Sequence, residues 1–279
     1  MTAKDAAAAK AGNGRPWALI TGASAGIGAV FARKLARDGM NCVLVARRRE
    51  RLEQLAAELK QDFGSDTRVF SQDLGVFEAP KKVLEFTDGE GLEIHTLINN
   101  AGYGTHGEFC AQDPEWEMKM VDLNCRALVG ISHMYAPRMK ARRQGNIVHL
   151  ASVASFQACP YMATYGATKA FILMFSEALW AELKDYGVHV TALCPGPTQS
   201  EFFAVAGLVD TGTTRVGALA PTDAVVEDGL GALKANKPYV VSGFSNYVKS
   251  QASRFVPRWL ATVITAHMLQ PAKKPEAGS

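Results

Sequence analysis

With 279 residues, 48% of them hydrophobic, the chain can bury the core of one large domain. Its 30 basic against 27 acidic side chains leave +3 with no basic stripe, which argues against nucleic acid as a partner. Five scattered cysteines (Cys42, Cys110, Cys125, Cys159, Cys194) show no C-x-x-C spacing and no histidine cluster, the pattern of a reduced, metal-free, cytoplasmic protein.

Residues 1–14, alanine-rich and carrying Lys4, Asp5 and Lys10, lack the apolar run of a signal peptide and read as a disordered leader. Ordered structure is expected from Pro16, in a single domain over 15–253 followed by a C-terminal helix and tail over 254–279. The short apolar run Trp17-Ala18-Leu19-Ile20 leads into Thr21-Gly22-Ala23-Ser24-Ala25-Gly26-Ile27-Gly28, and a helix with Val30, Phe31 and Leu35 on one face follows. Glycines at 22, 26 and 28 remove Cβ atoms that would hold a phosphate off the backbone, and the helix start offers it free N–H groups. The spacing G-x-x-x-G-x-G differs from the usual dinucleotide fingerprint, but strand, turn and helix stand in the order that nucleotide binding needs.

Cys42–Ala46 reads as a second buried strand, and it ends in Arg47-Arg48-Arg49 where an NAD-binding unit would carry a carboxylate. Arginine there can pair with the 2′-phosphate of NADP. Arg47 is the favoured partner, with Arg48 beside it, whereas Arg49 and Arg51 read as the solvated start of a helix through Leu52, Leu55 and Leu59. A third strand, 68–72, ends in Asp73-Leu74; a helix over 78–87 leads to a fourth strand, 96–98, and to Asn99-Asn100-Ala101-Gly102, whose small residues let a flat cofactor lie against the backbone. One helix is expected from Pro114 to about Arg142. It carries Asn124 within its apolar face, either as a kink cap or as a buried amide with partners.

A fifth strand, 146–150, delivers Ala151-Ser152 to the same sheet edge. Beyond it lies Thr164-Tyr165-Gly166-Ala167-Thr168-Lys169, in which a phenol and an ammonium four residues apart share one helix face. A free phenol ionises near pH ~10, and a neighbouring cation would lower that toward the range of general acid/base catalysis. Phe171 to Phe175 are apolar all round this helix, which calls for a second buried face, a subunit contact in a homodimer or homotetramer. A sixth strand, 189–193, runs into Pro195-Gly196-Pro197-Thr198-Gln199-Ser200. The poorly periodic residues that follow, within 197–220, read as a lid over an apolar pocket. A helix over 223–233, a strand at 239–241 and a helix over 254–269 finish the chain. In that last helix Trp259, Leu260, Val263, Ile264 and Leu269 form a stripe too short to span a bilayer. Packing on the body is the first expectation, ahead of a partner subunit and of peripheral membrane contact. The alternation as a whole predicts an α/β fold, a Rossmann-type doubly wound parallel sheet with helices on both faces.

Together these motifs resemble the short-chain dehydrogenase/reductase family from Pro16 to Val241, in the branch of 3-oxoacyl and hydroxysteroid reductases. T-G-x-x-x-G-x-G appears at 21–28, N-N-A-G at 99–102, and the catalytic tetrad as Asn124, Ser152, Tyr165 and Lys169. The resemblance implies an oxidoreductase that reduces an apolar ketone, or oxidises a secondary alcohol, with NADP(H) preferred over NAD(H). It implies cofactor contacts from Thr21, Gly22, Ser24, Gly26, Ile27, Gly28, Arg47, Arg48, Asp73, Leu74, Asn100, Ala101, Gly102, Tyr165, Lys169, Pro195, Gly196 and Thr198. In the mechanism so implied, Tyr165 exchanges the proton, Lys169 depresses its pKa, Ser152 holds the carbonyl oxygen and Asn124 holds a water leading to Lys169. Ala25 departs from relatives that carry a basic residue there, which leaves the 2′-phosphate to Arg47, Arg48 and Ser24. The competing readings are a catalytically silent nucleotide sensor, in which the tyrosine or lysine is usually lost, and an isomerase or dehydratase on the same fold.

Overall fold

The computed structural model describes residues 13–207 and 219–271; the expected leader up to residue 12, the middle of the expected lid (208–218) and the end of the tail lie outside them. The elements are β1 (Trp17–Thr21), α1 (Gly26–Arg37), β2 (Asn41–Ala46), α2 (Arg49–Phe63), β3 (Thr67–Ser71), α3 (Ala79–Gly89), β4 (Ile94–Asn99), α4 (Pro114–Val121), α5 (Leu128–Arg142), β5 (Gly145–Leu150), α6 (Ala163–Leu183), β6 (Val188–Cys194), α7 (Thr222–Lys234), β7 (Tyr239–Val241), α8 (Phe244–Ala252) and α9 (Arg258–Leu269), with shorter helical turns between them.

Seven strands form one sheet in the order β3-β2-β1-β4-β5-β6-β7, with parallel pairing throughout. A parallel sheet is covered on both faces, which is why β1 and most of β2 are uninterrupted apolar runs. On one face Val83 of α3, Ile131 and Tyr135 of α5 and Leu183 of α6 pack against Leu19, Val43 and Ile147. On the other, Phe31 of α1, Leu52 and Leu59 of α2 and Val225 and Val226 of α7 pack against Ile20, Leu44 and Val148. This is the Rossmann-type doubly wound arrangement that the sequence predicts. The strand order turns back between β1 and β4, so their carboxyl ends open the crevice in which such folds take ligands.

Three expectations need correction. Order begins before Pro16: Asn41 Nδ2 donates to Asn13 Oδ1 at 3.0 Å and Arg15 Nη1 to Phe63 O at 3.0 Å, tying this entry segment to the rim of the sheet. The single helix over 114–142 widens into a π-helical stretch, Asp122–Ala127, whose looser turn reaches Asn124 toward the site. On α6, Ile172 and Leu173 are buried while Phe171 and Met174 face outward, on the side that the expected subunit contact would cover. The stripe on α9 does not pack on the body as expected: Thr265 and Leu269 face inward, and Trp259, Val263 and Ile264 are exposed.

Candidate active site

Thr21 ends β1 and Asn100 follows β4, and the two lock these strands together at their carboxyl edge. Thr21 Oγ1 accepts from the N–H groups of Asn100 (2.9 Å) and Ala101 (3.0 Å), while Asn100 Nδ2 donates to Thr21 O at 2.9 Å. The glycine turn closes onto this lock. A Cβ on Gly28 would lie 2.4 Å from Gly22 O and 2.5 Å from Asn100 Nδ2. Gly28 therefore serves the turn's own closure, where the sequence reading had it clear the way for a phosphate. Thr21 and Gly28 stand behind the cavity wall, which is formed by Gly22, Ser24, Gly26 and Ile27.

The cavity, about 510 Å³, extends from Arg47 and Arg48 past this turn and Asp73-Leu74, over Ala101-Gly102, to Ser152, Tyr165 and Lys169 beside Pro195, Gly196 and Thr198. A basic end, a glycine turn and small backbone-lined walls suit a phosphorylated dinucleotide. Arg48 donates to Ser24 Oγ through Nε (3.2 Å) and Nη2 (3.0 Å), and through Nη1 to Glu201 Oε2 at 2.7 Å. Arg51, which the sequence reading assigned to a solvated face, also donates to Glu201 and so belongs to this basic end. Asp73 Oδ1 accepts from Gly75 N–H at 2.9 Å, which fixes the loop after β3.

At the other end, α6 presents Tyr165, Thr168 and Lys169 on one buried face. Burial raises the Tyr165 phenol to about 12, and hydrogen bonding from the facing Ser152 opposes this only in part. Burial also lowers the Lys169 ammonium to about 8. Its Nζ donates to Leu150 O at 2.6 Å and stands 5.7 Å from the centre of the Tyr165 ring. Burial thus governs the phenol, where the sequence leads one to expect the Lys169 charge to do so. Ser152 is set by a short helical turn: its Oγ accepts from Ala154 N–H (3.1 Å), and its N–H donates to Ser155 Oγ (3.3 Å), which in turn donates to Lys169 O.

Asn124 is buried beside Gly102 and does not line the cavity. Its Oδ1 accepts from Tyr103 N–H at 3.1 Å, and its Nδ2 donates to Tyr103 O (2.9 Å) and Thr168 Oγ1 (3.0 Å). With both donors spent, the amide braces the loop after β4 against α6, and the expected water has no Asn124 side-chain donor to bind. Phe202 and Phe203 lie in the expected lid, whereas Met162 and His106 were not anticipated at the wall and its rim. The Phe202 ring lies 5.1 Å from that of Tyr165, Met162 and Leu269 share its apolar cluster, and His106 Nε2 donates to Leu269 O at 2.7 Å to hold the end of α9 at the rim.

A doubly wound sheet with a glycine turn and a Ser/Tyr/Lys cluster at its switch point is the combination that the comparisons with known proteins bear on. Residues 16–207 match the short chain dehydrogenase family, and the chain belongs to it. It is 33% identical over 187 residues to a very-long-chain 3-oxoacyl-CoA reductase of Anas platyrhynchos, covering 64% of this chain and 58% of that one, so it spans little more than half of that curated relative's length. Among solved structures, a short-chain dehydrogenase from Sphingobium yanoikuyae in complex with NADPH superposes with a TM-score of 0.77 at 32% identity, over 95% of this chain and 98% of that one. A bulky-bulky ketone specific alcohol dehydrogenase from Comamonas testosteroni does so with a TM-score of 0.72 at 29% identity, over 95% and 96%. The chain thus shares both the fold and the Ser/Tyr/Lys cluster of this family.

Proposed function

We propose that the protein is an NADP(H)-dependent reductase of apolar ketones, of the 3-oxoacyl or bulky aryl or steroid-like type. One observation carries this reading: Ser152, Tyr165 and Lys169 converge at one end of a cavity whose other end is lined by Arg47 and Arg48, with Ser24 fixing Arg48. The NADPH-bound relative and the name of the reductase relative support it. A bound nicotinamide supplies the hydride. The protein's own part is the proton: Tyr165, fully protonated at neutral pH with its phenol near 12, gives its hydrogen to the substrate oxygen, and Ser152 holds that oxygen by a hydrogen bond. The Lys169 ammonium stabilises the phenolate left behind, and solvent restores the proton. Met162, Phe202, Phe203 and Leu269 give the substrate end its apolar character. The outward Phe171 and Met174 of α6 support assembly with further copies of the chain.

The test is a panel of ketones assayed with NADPH and with NADH, in wild type and Tyr165→Phe. Turnover with NADPH above NADH, and a loss of at least ~100-fold in Tyr165→Phe, is expected. Equal use of both cofactors, or a variant within a few fold of wild type, overturns it.

A further inference from the structure

Helix α9 is built inside out. Its rows Trp259-Val263-His267 and Leu260-Ile264-Met268 are apolar apart from one histidine, yet Trp259 is 69%, Val263 58%, Ile264 50% and Met268 53% exposed. Thr265 is buried on the opposite side, with its hydroxyl spent on Ala261 O within the helix. Phe255, in the turn before the helix, is 88% exposed. Soluble surfaces do not leave a contiguous aromatic and aliphatic face of this kind without a partner.

Charge identifies the partner. From Gly229 to Pro271 the chain contains no Asp or Glu but has five basic residues, Lys234, Lys237, Lys249, Arg254 and Arg258. Burial raises the half-buried Glu177 carboxyl of α6, and the Arg254 charge opposes this. A second copy docked face to face would present the same acid-free segment, with no carboxylate of its own there to meet Arg254 and Arg258. An anionic lipid surface offers what both features need, acyl chains for the apolar rows and phosphate for the arginines. No helix among the described residues is long and apolar enough to cross a membrane, and α9, about 18 Å long at 1.5 Å per residue, suits the interfacial plane.

We propose that α9 and the turn before it form a docking surface for anionic bilayers. The docking does not rest on the reductase reading, but it gives that reading a route. Met268 is exposed on this face and also lines the cavity with Thr265 and Leu269, so docking brings the cavity rim to the layer in which apolar ketones are dissolved.

The experiment is flotation of the full chain with vesicles of phosphatidylcholine, alone or mixed with phosphatidylglycerol. Wild type should float with the mixed vesicles and be released by salt. Trp259→Glu/Val263→Glu should bind at least ~10-fold more weakly. Arg254→Gln and Arg258→Gln should each cost about 5-fold. Trp259→Ser/Val263→Ser, a milder change at exposed positions, reads the same face if the Glu variant folds poorly. Three results each overturn the proposal. One is wild type that stays down with both kinds of vesicle. Another is flotation that survives both double variants. The third is an oligomer of wild type that either double variant dissociates, which would assign the face to a second copy.

Discussion

Glu201 accepts a hydrogen bond from Arg48 at 2.7 Å and another from Arg51, so a carboxylate from beyond β6 is held by two guanidiniums after β2. Arg51, and after it Arg48, holds the Glu201 carboxyl below the usual carboxylate range. In the proposed function Arg48, beside Arg47, also receives the 2′-phosphate, and the two anions compete for it.

Glu201→Gln removes the competitor. Both ion pairs are about half exposed, where such pairs contribute roughly 0.2 to 1 kcal/mol each. With the Arg48 pair as the one in competition, the variant should therefore bind 2′,5′-ADP about 1.4- to 5-fold more tightly, with 5′-AMP affinity unchanged, by titration calorimetry. If wild type shows no preference for 2′,5′-ADP, the cofactor assignment fails. If the preference is present but the variant matches wild type, only the competition fails.

Lys169 trades stability for function. Its pKa is lowered from 10.5 to about 8 by burial, so the folded chain holds this proton less tightly than the unfolded chain does. Stability is full above the unfolded value, falls as pH drops through that window, and below pH 8 is lower by roughly 3 kcal/mol. Lys169→Met escapes this cost but leaves Leu150 O without its donor, a loss of about 1 kcal/mol. The variant should melt a few degrees higher than wild type at pH 7, lose that advantage above about pH 10.5, and be inactive. A lower melting temperature at pH 7 would show that the ammonium stabilises the fold.

His149 sets the acid limit. It is fully buried, within 2.9 Å of Ser132 Oγ and 2.7 Å of Ser176 Oγ, and burial lowers its pKa from 6.5 to about 3. The unfolded chain takes up this proton first, so stability is intact above pH 6.5 and declines toward pH 3 by about 1.4 kcal/mol per unit. His149→Gln should be less stable at pH 7 but show a flatter decline in urea midpoint between pH 6.5 and 4.5. Parallel declines would remove His149 as the cause.

Gly28→Ala should damage both fold and binding, because its methyl would meet the backbone of Gly22 and the amide of Asn100. Overpacking of this kind costs about 1 to 3 kcal/mol. Gly39→Ala makes a useful contrast: its φ of +89° strains alanine, but nothing lies within 4 Å. Both should lower the melting temperature, while only Gly28→Ala weakens nucleotide binding. Equal binding losses would point to a general loosening of the fold.

The sheet was legible because parallel strands are buried on both faces, so β1 and β2 stand out as apolar runs, and the glycine turn and the Tyr165–Lys169 spacing are local in the chain. What escaped is long-range or depends on environment. Glu201 meets Arg51 across 150 residues of sequence, and neither residue alone marks the encounter. The pKa of Tyr165 depends on how completely the site excludes water, which the four-residue spacing to Lys169 does not report. The stripe on α9 was readable, but not its direction, since amphipathicity names the apolar face without saying what covers it. Asn124 needed the π turn, a local widening for which the helical period gave no signal.

Phe202, whose ring lies 5.1 Å from Tyr165, is the next residue after Glu201. The cover over the reactive phenol and the tether to the arginines are therefore consecutive links of the chain. Under the proposed function, a phosphate that draws Arg48 from Glu201 loosens the link next to that ring, and the nucleotide is expected to bind before the carbonyl compound. Initial-rate kinetics should then be sequential and compulsory in order: the oxidised nucleotide should inhibit competitively against the reduced one, and the alcohol product should not compete with it.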